Sequence, residues 1–293
     1  MKIKFRLQKV LKIALQVSVL ILASVILTIF LKVFCFASFK VPSGSMEPVL
    51  QSGDQILVNK LILGPRIFKD WNFFTNKNWE MRRLKGIRSL KRNEIVVFNF
   101  PISNNNWNRI EMDFNLHLVK RCVGVPGDTI EIRNGFYRVR GCSDTLGNYH
   151  NQLELSLRAN ITINKGAFNC LHYDSAHQWN IKNFGPLYIP QAHAKIRIHS
   201  GNIELYRKII VYESGKSVEV KRNVVLLGGK PITEYTFHQN YYFMSGDNIQ
   251  NSMDSRYWGL LPEDHIIGKV AFIWKSKDES TGKYRWERFF KGL

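Results

Sequence analysis

One long apolar run, followed by many short apolar segments, makes up the hydrophobic pattern of this chain. From Ile13 to Phe36 the only charged residue is Lys32. At about 1.5 Å per residue, this run is long enough for a helix that crosses a hydrocarbon layer of about 30 Å. The later segments are bounded by Gly, Pro and Asn, which is typical of strands and turns. The pattern therefore predicts one transmembrane helix and then a mainly β region.

Basic residues precede the apolar run and predict its orientation. Residues 1–12 carry no acidic side chain and contain Lys2, Lys4, Arg6, Lys9 and Lys12. The positive-inside rule places this N-terminus in the cytoplasm and the rest of the chain across the membrane. A cleavable signal peptide is the alternative, because Cys35-Phe-Ala37 is similar to a small-x-small cleavage site. Since the apolar run exceeds a usual signal core, we expect a retained helix over 13–36 in a single-pass protein.

Short apolar segments predict the strands of the β region. They are Gln55–Asn59, Glu94–Phe100, His117–Val123, Thr129–Arg133, Phe136–Val139, Tyr241–Ser245 and Ile266–Trp274. Asn134-Gly135 separates two of them and is a strong hairpin signal. We expect these strands to form one β domain over 37–140 and 236–293.

Two segments interrupt this predicted domain. Residues from about 63 to 92 are irregular and basic and contain the aromatic residues Trp71, Phe73, Phe74 and Trp79. They predict an inserted loop, which lies either at a membrane interface or over ordinary packing. Residues 141–235 contain short strand-like pieces at Ile203–Tyr212, Ser217–Val220 and Val224–Leu227. With no strong helix signal after residue 36, we interpret 141–235 as an inserted, β-rich subdomain.

Composition narrows the class of partner. The formal net charge is +19, from 42 Lys and Arg against 23 Asp and Glu. The charges are scattered and no zinc-finger spacing or aromatic RNA-binding motif is present, so we expect no nucleic acid partner. A basic balance also suits a protein that lies against anionic lipid, and we expect the lipid bilayer to be a partner.

The cysteines give no sign of a metal site. The sequence has Cys35, Cys122, Cys142 and Cys170, and no C-x-x-C pair. Zinc sites usually need such spacing, so we expect no metal and no cofactor. Cys142 and Cys170 either form a disulfide in an oxidising compartment or remain thiols, and the sequence leaves both open.

An irregular segment follows the apolar run and carries hydroxyl groups. Between Phe39 and Pro48, two prolines prevent a regular helix, and Gly44 allows the backbone to approach a ligand closely. Taken alone, the stretch favours a linker after the membrane helix over a site with a serine nucleophile. No G-x-S-x-G elbow occurs, and neither His117 nor His265 stands in a recognisable triad context.

Lys120 is the other candidate for chemistry. With a strand period of two, it shares a face with Leu116, Leu118 and Cys122. Burial on an apolar face disfavours the ammonium form and lowers the pKa, which makes a lysine a general base near neutral pH. A lysine that snorkels at the end of a strand is the alternative that the pattern leaves open.

Several motifs occur together in a fixed order. They are Pro42-Ser-Gly-Ser-Met46, Gly53-Asp54 before a strand, Lys120-Arg-Cys-Val-Gly-Val-Pro-Gly-Asp128, Gly246-Asp-Asn248 and Asn251-Ser252-x-Asp254-Ser-Arg256-Tyr-Trp-Gly259. In this combination the chain resembles the bacterial type I signal peptidases, the Ser-Lys endopeptidases of family S26 that remove signal peptides from exported proteins. The match covers both ends of the region after the apolar run and leaves the middle unmatched, as befits the variable second domain of that family.

The resemblance implies a role for each matching residue. Ser45 is expected to be the nucleophile and Lys120 the general base. Ser43, together with the backbone N–H of Ser45, is expected to form the oxyanion hole. Ser252 is expected to orient Lys120, with Asp254 and Arg256 as a supporting ion pair. The positions expected to line shallow pockets for small side chains are Phe39, Val41, Met46, Leu50 and Val119.

The resemblance also implies fold and function. The expected fold is a signal-peptidase and LexA-like β domain behind one transmembrane helix, with the catalytic part outside the cytoplasm on the bacterial inner membrane. The expected activity is cleavage of preproteins after small residues of the Ala-x-Ala type, by a monomer. A specialised processing peptidase with few substrates and a non-catalytic homologue are the alternatives. One departure stands out, since Ile249-Gln250 replaces the Arg-Asp that the family commonly carries.

Overall fold

The structure, a computed structural model, describes residues 2–69, 80–160, 165–171 and 177–293. Side chains are described from residue 11 onward within these ranges, except for those of residues 165 and 166. The aromatic residues of the predicted loop, Trp71, Phe73, Phe74 and Trp79, lie outside the described residues.

An apolar helix begins the fold. Helix α1 spans Lys2–Phe30 and continues as a π-helical turn, Leu31–Cys35. The segment Leu11–Cys35 has a mean hydropathy of 2.6 and is not buried against the rest of the protein. Its length and composition make it a candidate membrane span. The amine of Lys60 donates to the carbonyls of Lys32 and Val33, which joins the end of the helix to the first pair of strands.

Strands are the commonest regular elements of the remaining described chain. In chain order they are β1 (Phe36–Lys40), β2 (Asp54–Asn59), β3 (Arg66–Phe68), β4 (Met81–Arg83), β5 (Ile95–Phe100), β6 (Asp113–Gly124), β7 (Thr129–Arg133), β8 (Phe136–Val139), β9 (Phe184–Tyr188), β10 (Lys195–Arg197), β11 (Val218–Lys221), β12 (Val224–Leu227), β13 (Lys230–Ile232), β14 (Glu234–Thr236), β15 (Tyr241–Ser245), β16 (Leu261–Pro262), β17 (Ile266–Ser276) and β18 (Lys291–Gly292). The short helices are α2 (Tyr149–Leu157), α3 (Lys165–Phe168), α4 (Ile203–Ser214) and α5 (Ser255–Trp258). The predicted fold class, mainly β behind an N-terminal helix, is confirmed.

One antiparallel sheet joins the two ends of the chain. Its order is β1-β2-β17-β5-β6-β15-β16, with β18 added to β17. β1 stands at one edge, and β6 is paired with β15 only through residues 121–124. The residues of β6 before this pairing keep β5 as their strand neighbour among the described residues, with Val96 opposite Lys120. Two strand edges are therefore open on the side where β1 and β6 approach each other.

Smaller sheets follow from the middle of the chain. They are β8-β7-β9, β11-β12-β13, β10-β14 and the hairpin β3-β4. β9 lies in the segment predicted to be inserted, but it pairs with β7, which lies before that segment. The predicted division at residues 141 and 235 stays a prediction, and backbone pairing crosses its first boundary.

Helix α4 differs from the sequence prediction. A strand was expected over Ile203–Tyr212, whereas the structure has a helix over Ile203–Ser214. Ile203, Tyr206 and Ile210 are buried at spacings of three and four, which is the pattern of an amphipathic helix. Gly215 ends the helix in the left-handed conformation at φ 65°. The strand prediction was wrong because the helical period was overlooked within a run rich in β-branched and aromatic residues.

Two buried clusters of apolar side chains pack on the main sheet. Apolar residues fill both of its faces, and the cluster on the β1 side contains Val41, Met46, Leu50, Ile56, Val58, Ile95, Val97, Val119, Ile267, Val270 and Ile273.

The four cysteines are unpaired thiols in the structure. The predicted alternative of a disulfide between Cys142 and Cys170 is therefore not the state described.

The C-terminal arm, residues 277–293, is bound to the Gly53-Asp54 turn. The guanidinium of Arg288 donates to both carboxylate oxygens of Asp54, at 3.0 and 2.5 Å. It also donates to the carbonyl of Val49 at 2.9 Å. Burial raises the pKa of Asp54, but hydrogen bonds from Arg288, Gln51 and Ser276 outweigh it and hold this pKa below its usual value. Part of the basic C-terminal arm is thus structural.

We expect Arg288→Ala to destabilise the fold by about 3 kcal/mol, because it leaves a buried carboxylate without its counter-charge. Lys291→Ala is the matched control, since it removes the same charge from an exposed position of the same arm. Guanidinium unfolding of the detergent-solubilised protein measures both. Equal stability of the two variants would show that the ion pair contributes nothing to the fold.

Candidate active site

The Ser45 hydroxyl is held by a turn that follows the edge strand β1. Residues Gly44–Met46 form one 3-10 turn, and Leu50 N donates to the Met46 carbonyl at 2.9 Å. The side chain of Met46 is 1% exposed and anchors the turn in the apolar cluster. The turn is therefore fixed by Met46, while Ser45 in the same turn stays partly exposed.

Lys120 reaches this turn from the neighbouring strand β6. Its amine Nζ lies 2.5 Å from Oγ of Ser45, and the side chain is 3% exposed. Burial lowers the pKa of Lys120 to about 8, with the Asp254 charge acting to raise it and the Arg256 charge to lower it. The predicted burial of Lys120 is confirmed. At neutral pH about a tenth of this amine is then neutral, far more than for an exposed lysine, and can accept a proton from the serine.

A second turn packs directly against the Ser45 turn. Strand β15 ends at Ser245, and the backbone N–H of Asn248 then donates to the Ser45 carbonyl at 3.1 Å. The Asn248 side-chain amide donates to the Gly44 carbonyl at 3.2 Å. Hydrogen bonds from one asparagine thus join the two turns.

Gly246 makes this approach possible. A Cβ atom at this position would lie 2.2 Å from Oγ of Ser252 and 2.5 Å from the Ser45 carbonyl oxygen. Such distances are far below van der Waals contact. Only glycine fits here without displacing either serine.

Asp254 and Arg256 form a fully buried ion pair behind the second turn. Both side chains are 0% exposed, and Arg256 Nη2 donates to Asp254 Oδ2 at 2.7 Å. The same carboxylate accepts hydrogen bonds from the Ser252 hydroxyl at 2.7 Å and from the Gly246 N–H at 3.0 Å. The pair is therefore the anchor on which both Gly246 and Ser252 depend.

A small cavity opens beside the two serines. Its volume is about 220 Å³, and its walls are Val41, Pro42, Ser43, Ser45, Met46, His117, Leu118, Val119, Lys120, Asn251 and Met253. The rings of Phe39 and His117 approach to 5.1 Å between centroids, so β1 and β6 meet across it. Apart from the serines and Lys120, the walls are largely apolar, and the space suits short side chains rather than long ones.

The residues expected from the sequence mostly converge here. Ser43 Oγ lies 3.5 Å from Ser45 Oγ, and Ser252 lies next to Gly246. Among the described residues, the side-chain hydrogen bond of Lys120 goes to Ser45, and the Ser252 hydroxyl donates to Asp254. The orienting role of Ser252 thus stays a prediction. Of the expected pocket residues, Val41, Met46 and Val119 line the cavity, whereas Leu50 is 0% exposed within the apolar cluster.

Sequence reasoning missed several residues of this site. His117 and Leu118 line the cavity, and their place before Lys120 on the same strand was the available signal. Met253 occupies the variable position inside the Asn251–Asp254 motif and also lines the cavity. No sequence signal marked Asn151, whose side chain reaches both turns.

Comparison with known proteins gives the family. A profile described as "Signal peptidase, peptidase S26" matches residues 14–187 and 216–275, which is most of the chain. The chain belongs to the signal peptidase family, peptidase S26. The matched stretches leave out residues 188–215, which contain β10 and α4. Members of this family are membrane-associated, and α1 supplies a candidate span here.

Two sequence relatives from Buchnera aphidicola agree with this assignment. A "Signal peptidase I" from Buchnera aphidicola subsp. Baizongia pistaciae is 30% identical over 263 residues, covering 88% of this chain and 76% of the relative. One from Buchnera aphidicola subsp. Schizaphis graminum is 29% identical over 264 residues, covering 86% and 72%. A solved signal peptidase I from Enterococcus faecalis V583 is 16% identical with a TM-score of 0.29, covering 63% of this chain and 98% of that one.

The departure from the family pattern at Ile249-Gln250 has a structural setting. Ile249 is 2% exposed and belongs to the apolar cluster that includes residues of the small sheet β8-β7-β9. The side chain of Gln250 accepts a hydrogen bond from Arg158, just past the end of α2. In this chain the turn is therefore fastened by apolar packing and a neutral acceptor.

We expect Gly246→Ala to lower peptidase activity by about 100-fold, because the added methyl displaces Ser252 and the Ser45 carbonyl, and a shift of about 1 Å carries a cost of this size. Gly292→Ala is the control, since its Cβ would meet nothing within 4 Å. Steady-state cleavage of a preprotein compares the two. Full activity in Gly246→Ala would show that the close approach of the turns is unnecessary.

Proposed function

We propose that this chain is a membrane-anchored serine endopeptidase that removes signal peptides from exported preproteins, with Ser45 as nucleophile and Lys120 as general base. The observation that carries the proposal is the 2.5 Å distance between a serine hydroxyl and a buried lysine amine with a pKa near 8. Membership of the signal peptidase family supplies the reaction class. Neither a metal nor a cofactor is needed in the steps below.

The first step is attack on the scissile carbonyl. Neutral Lys120 takes the hydroxyl proton of Ser45 while the serine oxygen bonds to the carbonyl carbon. The carbonyl oxygen becomes an oxyanion, and the backbone N–H of Ser45 and the hydroxyl of Ser43 are placed to donate to it. The exposed position of Ser43 beside Ser45 supports this assignment.

The second step breaks the peptide bond and the third regenerates the enzyme. Protonated Lys120 gives its proton to the leaving amine, and the acyl group stays on Ser45 as an ester. A water molecule, deprotonated by Lys120, then attacks the ester carbonyl. Lys120 returns that proton to the departing Ser45 oxygen, and the signal peptide is released with a new carboxyl terminus. Because Lys120 is buried, its ammonium form carries a desolvation cost in each cycle, which favours return of the proton.

The open strand edges provide a place for an extended substrate. β1 is an edge strand, and residues 117–120 of β6 are unpaired on the side of β15 in the described part of the chain. A peptide added as a strand between these edges would be held by backbone hydrogen bonds. Its side chains would then alternate into the cavity lined by Val41, Met46 and Val119. A cavity of about 220 Å³ supports selection of small residues of the Ala-x-Ala type.

The membrane anchor fits the location of the substrate. Signal peptides lie in the membrane, and Ser45 follows the apolar segment Leu11–Cys35 after one short strand. The basic residues before this segment support a cytoplasmic N-terminus, with 37–140 and 236–293 as the catalytic domain outside the cytoplasm. We propose a single-pass monomer in the bacterial inner membrane whose partners are preproteins and lipid.

We expect Ser45→Ala and Lys120→Met each to lower cleavage of a purified preprotein with an Ala-x-Ala site by at least roughly 1,000-fold, because each removes one half of the proton transfer. Lys195→Met is the matched control, since its amine is exposed and pairs with Glu234. Circular dichroism should show that all variants are folded.

Three results would contradict this proposal. Cleavage by Ser45→Ala at the wild-type rate would exclude this serine as the nucleophile. A wild-type protein that binds the preprotein without cutting it would favour the non-catalytic homologue. Accumulation of only a few uncleaved preproteins in a strain depleted of this protein would favour the specialised peptidase.

The dependence of cleavage on pH should report the lysine. Because the base works in its neutral form, we expect kcat/KM to rise with pH with a midpoint near pH 8, where half of Lys120 has lost its proton, and to level off at higher pH. His117 lines the same cavity, but burial, assisted by the charge of Arg66, lowers its pKa below the usual 6.5. The midpoint should therefore remain near 8 in His117→Gln. A rate that does not change with pH from 6 to 9 would contradict a lysine base.

A further inference from the structure

Helix α2 lies in the middle segment of the chain but reaches both catalytic turns. It spans Tyr149–Leu157, and the side chain of Asn148 caps it by accepting from the N–H of Asn151 at 3.0 Å. The side-chain amide of Asn151 donates to the carbonyl of Glu47 at 3.1 Å and to the carbonyl of Asp247 at 2.7 Å. One amide group thus uses both of its N–H bonds on two different turns.

The two carbonyls belong to the segments that carry the chemistry. Glu47 stands two residues after Ser45, at the end of the 3-10 turn. Asp247 follows Gly246, whose backbone contacts both serines. The distance between the turns, and with it the distance from Ser45 to its neighbours, is therefore set in part by this amide.

The helix itself is firmly placed. Leu155 is 0% exposed in the apolar cluster that includes residues of the small sheet β8-β7-β9. Gln152, which is 1% exposed, accepts from the N–H of Tyr137 and donates to the carbonyl of Leu146. Just beyond the helix, Arg158 donates to Gln250 of the second turn. A fixed helix can hold the turns in register, whereas a mobile one could only follow them.

Asp247 is held from the other side as well. Its carboxylate is 1% exposed and accepts two hydrogen bonds from Arg121 of β6, at 2.7 and 2.6 Å. Arg121 is adjacent to Lys120 on the same strand. The residue whose carbonyl Asn151 binds is thus also linked to the strand of the proposed base.

We propose that Asn151 is a positioning residue for the proposed peptidase reaction, acting through the carbonyls of Glu47 and Asp247 to keep the Ser45 turn in place against Lys120. This inference rests on the proposed function. Asn151 does not line the substrate cavity, so its loss should alter the rate of the chemical step and leave substrate binding nearly unchanged. The middle segment of the chain then contributes to catalysis through α2.

Two substitutions of Asn151 distinguish the effect of its hydrogen bonds from the effect of its side-chain shape. Asn151→Ala removes the amide, and Asn151→Asp keeps its shape but presents carboxylate oxygens to two carbonyl oxygens. We expect kcat to fall at least about tenfold in Asn151→Ala and further in Asn151→Asp, because a misplacement of about 1 Å lowers the rate by roughly a hundredfold. KM should stay within about twofold of wild type in both variants. The proposal predicts the greater loss in the variant with the native shape because that variant repels the carbonyls.

Asn148→Ala is the matched control on the same helix. It removes the cap of α2 and so lowers the stability of the helix, while the contacts of Asn151 with the turns remain. We expect its Tm to fall at least as much as that of Asn151→Ala, with kcat within about twofold of wild type at a temperature well below both Tm values. Thermal unfolding and preprotein cleavage in detergent, with the full-length chain, give the three quantities.

Wild type and Ser45→Ala in the same assay distinguish the two levels of the proposal. If wild type cleaves nothing, or Ser45→Ala cleaves as well as wild type, the proposed function fails. If wild type cleaves and Asn151→Asp retains its kcat, the positioning role is overturned while the proposed function stands. If kcat falls in Asn148→Ala as much as in Asn151→Ala, the effect is one of helix stability, and the positioning role is likewise overturned.

Discussion

The site depends on the exclusion of water from the amine of Lys120. Water around an ammonium group stabilises it, so a lysine is a useful base near neutral pH only where burial removes that stabilisation. In a site without water, charged neighbours also change the pKa of the amine strongly at short range. Here two of them act in opposite directions. Asp254 favours the protonated amine and Arg256 opposes it. Because these two charges oppose each other, burial, which is the largest influence on this pKa, decides the outcome.

The same constraint explains why the two turns must meet so closely. A dry amine needs neighbouring atoms on every side, and the Ser45 turn provides one wall while the turn after β15 provides another. Gly246 has no Cβ because there is no room for one, and Asn248 uses backbone and side-chain donors to bind Ser45 and Gly44. Hydrogen bonds between irregular segments are individually modest, worth about 1 kcal/mol each. Several together, supported by buried Asp254 and Met46, give a rigid wall that a single loop would not.

The sequence predicted those features that follow from local pattern. The apolar helix, the strand of Lys120 and the burial of that lysine were predicted from hydrophobicity and a period of two, and all are present. The resemblance of the motifs to a known family predicted that segments distant in sequence form one site. The hydrophobic pattern alone does not predict this. Helix α4 was missed because its β-branched and aromatic residues favour strands locally, and tertiary burial of one face decided otherwise. Asn151 could not be predicted, since a single asparagine on a short helix has no signature until the fold brings two carbonyls within its reach.

The substitution at Ile249-Gln250 shows how such a site tolerates change. Charged residues at these positions would need partners, and each partner would add a field near Lys120. In this chain Ile249 is buried with the apolar cluster of the small sheet, and Gln250 is a neutral acceptor for Arg158. The turn therefore keeps its position through packing and a neutral contact, and the balance of charge at the amine is left to Asp254, Arg256 and Asp247. The position of the backbone is what this turn must retain, and more than one set of side chains can hold the backbone in that position.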